Sequence, residues 1–400
     1  VLLAELVALG VSDPTPVYRG VRYTADLVLG YRAHLVLRTA SRIQRILGEL
    51  PAGSPKELAA ALATVAWPEW LLARNAYTID PILTDPAAQS LGVEKLVADA
   101  IARAQWVPPP GGRGAEQGQV EASEPEDRSP SPRTGSPPPL SPPGGGTPGP
   151  RLSSDALVTV VAHVRNGVCT LGLDTAGRAL HKRGWRLPGH PAVIKETLAA
   201  AILMLAGYDG SEALIDGMCG SGTLAIEGAY IALGKAPLIH RGKDDFGFEH
   251  HAGFDRALWR RVSDEVRAAR RPEPPAPIYA RDLREEFVDL ARKGALRARV
   301  EKHIQFTTGS FIDLVPPAER GLLVANLPYG ERIGRGEIEA LYKEVGRVVR
   351  DRFAAWKVAL LVPAEAPRSA LRVPVRREYA LFNGSIPVRL LLVGRGYDGV

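Results

Sequence analysis

Residues 213–227 read Ala-Leu-Ile-Asp-Gly-Met-Cys-Gly-Ser-Gly-Thr-Leu-Ala-Ile-Glu. A short apolar run ends on an acid, Asp216, and passes into a helical pattern through Gly217, Gly220 and Gly222. Glycines at such a join let the backbone pass close to a ligand with no Cβ in the way, and the helix that follows presents free N–H groups. This predicts the strand–turn–helix corner of an α/β sheet with a ligand at the strand's C-terminal tip. The rest of the C-terminal half keeps the same rhythm. A helix-like stretch at 195–205 precedes apolar runs at 213–216, 278–281, 304–308, 321–325, 356–362 and 387–393, with helical patterns between them. That alternation predicts an open, mostly parallel, Rossmann-like sheet.

The ligand class can be narrowed. A nicotinamide site would show G-x-G-x-x-G with an acid about 20 residues later. Here the acid precedes the glycines, and the next acid at a strand end is Asp282. No Walker lysine follows the turn, which disfavours a nucleoside triphosphate. A second signal lies at 324–330, where an apolar run delivers Asn326, Leu327, Pro328 and Tyr329. The exocyclic amine of a nucleobase is a poor nucleophile because its lone pair is delocalised into the ring. The Asn326 side-chain oxygen and the Leu327 carbonyl could take its two hydrogens, with Pro328 fixing the backbone and Tyr329 offering a face for the base. The two motifs together fit transfer of a methyl group from S-adenosylmethionine to a nucleobase nitrogen. On that reading Asp216 orients the donor's ammonium end, and Gly220 and Gly222 make room for it. Cys219, Ser221 and Thr223 share the turn, and Asp282 accepts hydrogen bonds from the ribose hydroxyls.

Other candidates are less specific. Ser310 follows a strand where the donor's adenine would lie, and Phe311 beside it reads either as ligand wall or as core. The stretch 180–186, Leu-His-Lys-Arg-Gly-Trp-Arg, reads either as phosphate contacts from Lys182, Arg183 and Arg186 or as a solvated charged turn. His250 and His251 have no third ligand at sensible spacing, so a packed or surface pair is expected and no metal. The formal charge of +6, from 50 basic and 44 acidic residues, permits a polyanionic partner without requiring one. Only two cysteines, Cys169 and Cys219, are present, which fits a reducing cytoplasm. No apolar run is long enough for a membrane span, and residues 1–5 carry an acid and no basic leader, against a signal peptide.

The N-terminal part mixes short strand-like runs (16–19, 21–23, 27–30, 33–38, 42–47, 70–79) with helical patterns at 56–62 and 92–101. Two further runs, 156–165 and 168–173, form a predicted hairpin around Asn166 and Gly167. Residues 108–150 hold 13 Pro and 9 Gly in 43 positions, and their composition predicts a flexible insertion without a fixed conformation.

At these motifs the chain resembles the THUMP-domain class I RNA methyltransferases. It is most similar to the bacterial 23S rRNA guanine-N2 methyltransferase family, through 180–186, 194–201, 216–227, 253–259 and 326–334. The resemblance implies an α+β ferredoxin-like region at 1–55 and a THUMP RNA-binding domain at 56–175, interrupted by the 108–150 insertion. A connector at 176–193 and a methyltransferase domain at 194–400 would follow. It implies S-adenosylmethionine as donor and N2-methylguanosine in large-subunit rRNA as product. The alternatives are the same chemistry on tRNA and, more distantly, adenine-N6 methylation. Three positions depart from the family pattern: Gly217 and Leu327 stand where proline is usual, and Ser310 where an Asp often meets the adenine amine, with Asp313 the nearest substitute.

Overall fold

The computed structural model describes residues 1–104, 106, 118–123, 149–189, 194–328 and 335–397. The chain divides into two units. The first comprises Leu2–Leu180 together with Arg241–Asp264; the second comprises His181–His240 with Glu265–Val400.

Among the described residues the first unit is built on eight strands: β1 (Thr15–Val17), β2 (Gly20–Ala25), β3 (Arg42–Pro51), β4 (Ala76–Leu83), β5 (Gly118–Ser123), β6 (Arg151–Leu152), β7 (Val158–Arg165) and β8 (Val168–Asp174). They form one sheet in the order β1-β2-β5-β3-β8-β7-β4-β6. Its helices are α1 (Leu2–Ala8), α2 (Leu27–Val36), α3 (Pro55–Leu62), α4 (Pro86–Gln89) and α5 (Val93–Arg103). Leu58 and Leu62 of α3 and Val93, Val97 and Ile101 of α5 close over the inward residues of β4, β7 and β8 to make one core. The hairpin is as expected: Arg165 pairs with Val168, and Asn166 and Gly167 both take positive φ (51° and 75°), the type I′ geometry that follows strand twist.

Three expectations fail here. The runs 27–30 and 33–38 lie mostly in a helix, α2, rather than in strands. The Asp26 side chain caps it by accepting from the Leu29 N–H at 2.7 Å, and an unbroken apolar run cannot by itself separate strand from buried helix. The strand placed at 70–79 begins only at Ala76, after a short helical turn at Trp67–Glu69. The 108–150 segment is not all unstructured, because Gly118–Ser123 is an interior strand, antiparallel to β2 on one side and β3 on the other.

Arg241–Asp264 belongs with this first unit because its aromatics do. Phe246 and Phe248 stack at 5.1 Å, Tyr31 and His34 lie against Phe248 at 4.9 and 4.8 Å, and the Arg241 guanidinium donates to the carbonyls of Ala176, Arg178 and Ala179. His251 is buried here, and His250 bonds the Asp244 carbonyl at 2.9 Å. The second unit, His181–His240 with Glu265–Val400, takes in the expected 194–400 stretch apart from 241–264.

In the second unit the strands are β9 (Ala213–Asp216), β10 (Ile278–Asp282), β11 (Ile304–Thr308), β12 (Gly321–Asn326), β13 (Lys357–Pro363), β14 (Val375–Asn383) and β15 (Ile386–Gly394). Their order is β11-β10-β9-β12-β13-β15-β14, the first five parallel, β15 antiparallel to β13 and β14 antiparallel to β15. Helices α6 (Glu196–Leu205), α7 (Thr223–Ala232) and α9 (Glu285–Arg297) pack one face, and α10 (Arg335–Arg352) packs the other. α8 (Arg256–Ala268) carries the chain between the two stretches of this unit. Because both faces are covered, the central strands are apolar without alternation, as Gly321–Ala325 shows. The chain leaves β9 toward β10 and β11 and returns to the other side of β9 for β12. That reversal opens a crevice at the C-terminal tips of β9 and β12.

Candidate active site

Three polar residues end adjacent strands. Asp216 closes β9, and the register sets it opposite Ala280 of β10 and Val324 of β12. Asp282 and Asn326 therefore stand two residues, about 6–7 Å, beyond it on either side.

Asp216 is fully buried. Its Oδ2 accepts from the Ala225 N–H in the first turn of α7 at 3.2 Å, and its Oδ1 has no partner among the described residues. Burial pushes the carboxyl up to about 8. The N–H groups of Ala225 and Met218 pull it down, and the nearby charge of Asp282 adds to the rise. Were it ionised, the unpartnered buried oxygen would cost about 1–3 kcal/mol, which a hydrogen-bond donor or a cation would offset.

The turn that follows is held by its own backbone. The Gly217 N–H donates to Val324 O, Cys219 N–H to Arg281 O and Gly222 N–H to Cys219 O, at 2.9, 2.9 and 2.7 Å. Gly220 and Gly222 have φ of 51° and 78°, so their backbone sits where side chains rarely go. A Cβ on Gly217 would lie 2.8 Å from the Phe311 ring. The departure from proline at 217 therefore matches the local packing.

Asp282 does more than the sequence showed. Its Oδ2 accepts from Gly220 N–H at 2.9 Å and its Oδ1 from Arg284 N–H at 3.1 Å, tying the glycine turn to β10. Each oxygen keeps lone pairs for a further donor. Ser310 Oγ accepts from Ile312 N–H at 3.2 Å, and its carbonyl accepts from Arg281 Nε at 3.1 Å. Phe311 is buried in the core beside Ile215 and Leu314, and Asp313 is exposed. Cys219 and Thr223 are buried, and Ser221 Oγ lies 3.4 Å from Thr223 Oγ1.

On the other side, the Asn326 Oδ1 is buried with no partner among the described residues. Leu327 is buried, and its N–H donates to Leu361 O at 3.0 Å, which holds the Asn326–Leu327 peptide against β13. Pro328 is half-buried. Tyr329 lies outside the described residues.

The basic stretch corrects the sequence reading. Arg183 is buried and pairs with the equally buried Glu227 at 3.3 Å, so it is not placed to meet a phosphate. Arg186 is bound to Glu196 at 2.9 Å and to the Ile194 carbonyl, with a quarter of its side chain exposed. Lys182 alone of the three is exposed. Glu227 was missed as a partner, although an acid in an otherwise apolar helix is itself a signal of a buried cation nearby. His181 is held down to about 4, by burial first and then by Lys195, Lys182, Arg183 and Arg186. Among the described residues no group of three or more His, Cys, Asp or Glu could hold a metal ion, and no helix is long and apolar enough to cross a membrane.

Residues 183–391 match the family described as RMKL-like, methyltransferase domain, and residues 1–44 match the RlmL ferredoxin-like domain. Ribosomal RNA large subunit methyltransferase K/L of Shewanella oneidensis is 32% identical over 394 residues, which is 96% of this chain and 50% of the relative. The chain spans about half the length of the curated relatives it matches. Among solved structures, SMU.472 complexed with SAH aligns at a TM-score of 0.77 and 23% identity, covering 98% of this chain and 93% of that one. A predicted N6-adenine-specific DNA methylase from Listeria monocytogenes aligns at 0.77 and 24%, covering 98% and 92%. These likenesses establish the fold of the second unit as the Rossmann-like class I methyltransferase fold, with a ferredoxin-like region at the N-terminus of the first.

Proposed function

The chain belongs to the RMKL-like methyltransferase-domain family, and from that premise we propose that it methylates the exocyclic N2 of a guanosine in large-subunit ribosomal RNA, in the cytoplasm, with S-adenosylmethionine as donor. The donor supplies an electrophilic methyl group. The residues at the crevice fit it: the orphaned Asp216 oxygen suits its ammonium, and the lone pairs left on Asp282 suit ribose hydroxyls. The glycine turn leaves room for its backbone-facing edge. Ser310, whose hydroxyl accepts from the Ile312 N–H, keeps its O–H to donate toward the adenine, and Phe311, packed in the core, contributes a wall.

The observation that carries the reading is the Asn326 Oδ1, a buried acceptor with nothing described to accept from, one strand from Asp216. It and the Leu327 carbonyl would each take an N–H of the guanine amine, turning its lone pair out of conjugation and offsetting the charge that grows on nitrogen. No strong base is required, since the amine's acidity rises once it is alkylated and its proton can pass to water. Tyr329 would stack on the base and Pro328 would hold the tetrad's backbone. Lys182 is the basic residue we place on RNA phosphate, with residues 56–175 as a THUMP domain that presents the RNA.

The test is tritiated methyl transfer by the purified chain to separated rRNA and tRNA fractions, followed by nucleoside analysis. N2-methylguanosine in large-subunit rRNA is expected. Label found only in tRNA, or as N6-methyladenosine, would replace the substrate assigned here.

A further inference from the structure

The first unit contains a cavity of about 70 Å³ that has no part in the methyl-transfer reading. Arg45 of β3 and Val120 of β5, paired across the sheet, line one side, and Gly30 and Tyr31 of α2 line another. His251 and Phe254 come from the 241–264 stretch. The wall supplied by Val120 comes from the segment whose composition read as linker.

Arg45 is unusual. Burial lowers its pKa, and among the described residues it forms no ion pair with a carboxylate; its guanidinium lies over the Trp70 ring at 4.7 Å. A partly desolvated cation without an anion is costly, and an aromatic face offsets only part of that cost. His251 is buried, burial keeps its imidazole neutral near pH 7, and its Nε2 has no hydrogen-bond partner among the described residues. Among the described residues the cavity wall carries one carboxylate, Asp26, whose Oδ1 accepts from the Leu29 N–H at the start of α2. The aromatic rings around the space pack on each other, Tyr31 with Phe248 and Phe254 at 4.9 and 6.1 Å.

We propose that this cavity binds a single phosphate group, with the Arg45 guanidinium as its forked cationic partner and the His251 imidazole as a neutral hydrogen-bonding group. The space is ample for a phosphate group, and the guanidinium fork matches phosphate oxygens two at a time. The phosphate is either free inorganic phosphate or a diester of an RNA backbone. The site itself does not depend on the methyltransferase reading, and only the RNA arm of its test does.

The experiment uses the full chain without donor. Calorimetric titration with inorganic phosphate, at ionic strength matched with chloride, should give saturable binding, with acetate far weaker. Arg45→Gln should weaken phosphate at least tenfold, and Arg45→Lys should recover part of it. Should Arg45→Gln fail to fold, Gly30→Leu gives the reading. Gly30 lies on the cavity wall, a Cβ there would meet no atom within 4 Å, and leucine favours the helix. That variant should also lose phosphate. RNA binding separates the two sources. If the natural occupant is a backbone diester, Arg45→Gln lowers the salt slope of RNA affinity by about one and phosphate competes with RNA. If it is free phosphate, RNA affinity is unmoved while phosphate binding is lost. Absence of saturable phosphate binding, acetate binding as well as phosphate, or full phosphate affinity in folded Arg45→Gln or Gly30→Leu would overturn the assignment.

Discussion

The two sheets of this chain announce themselves very differently. In the second unit β9 and β12 are short apolar runs buried on both faces that end on polar residues, Asp216 and Asn326, and β10 beside β9 ends on Asp282. In the first unit one interior strand, β5, is six residues of a 43-residue segment with 13 Pro and 9 Gly. Averaged over that segment, composition argues for disorder. Residue by residue, Val120 and Ala122 are buried, while Glu121 is partly exposed within 3.7 Å of Arg22. A strand needs only two or three well-placed inward side chains when neighbours on both sides supply its hydrogen bonds. Composition is a statement about a segment's average, and folding acts on its best six residues.

The sharpest way to break that contrast is to delete Gly118–Ser123. Removing an interior strand leaves the facing edges of β2 and β3 unpaired. The expected outcome is loss of cooperative unfolding of the first unit, read by calorimetry as a missing transition. Survival of a two-transition melt would return the whole 108–150 segment to the status of linker. The matched test in the second unit is Asn326→Ala. A strand-tip residue with an unpartnered oxygen contributes to chemistry and little to folding, so turnover should fall about 10²–10³-fold with the melting temperature nearly unchanged. Unaltered turnover would remove the tetrad from the mechanism.

Much of the second unit was legible because its signals are local: a strand end, glycines and a helix start within 15 residues. What could not be read was pairing across distance. The sequence offered Lys182, Arg183 and Arg186 as equals, and folding separates them by burial alone, since α7 carries Glu227 to Arg183 and α6 carries Glu196 to Arg186. In the first unit the apolar run 27–37 was compatible with either strand or helix, and the cap at Asp26 decided it. A pair of substitutions sharpens the point. Arg183→Ala should destabilise the second unit by about 3–5 kcal/mol, because it strips a buried carboxylate of its partner, and Arg183→Met combined with Glu227→Leu should recover most of that loss. Lys182→Ala should leave stability within about 0.5 kcal/mol and instead reduce the salt dependence of RNA binding. Equal effects on stability from the two single variants would erase the distinction drawn from burial.

The smallest expected effect tests whether the strand tips are incomplete by design. Burial raises the Asp216 carboxyl to about 8, above its unfolded value near 3.8. Between those values the native chain holds a proton that the unfolded chain has released, so this group's contribution to stability is greatest in acid and falls as pH rises to about 8, where it levels. A cationic ammonium at the free Oδ1 reverses the preference by favouring the carboxylate. Binding of S-adenosylhomocysteine near pH 7 should therefore release a fraction of a proton, measured by calorimetry in buffers of different ionisation enthalpy. Asp216→Asn should abolish that release and flatten the ligand-free pH profile, while the first unit's transition stays as it was. A release that persists in Asp216→Asn would place the titrating group elsewhere in the crevice, and the buried acid at the end of β9 would then be part of the frame, like Arg183, rather than part of the site.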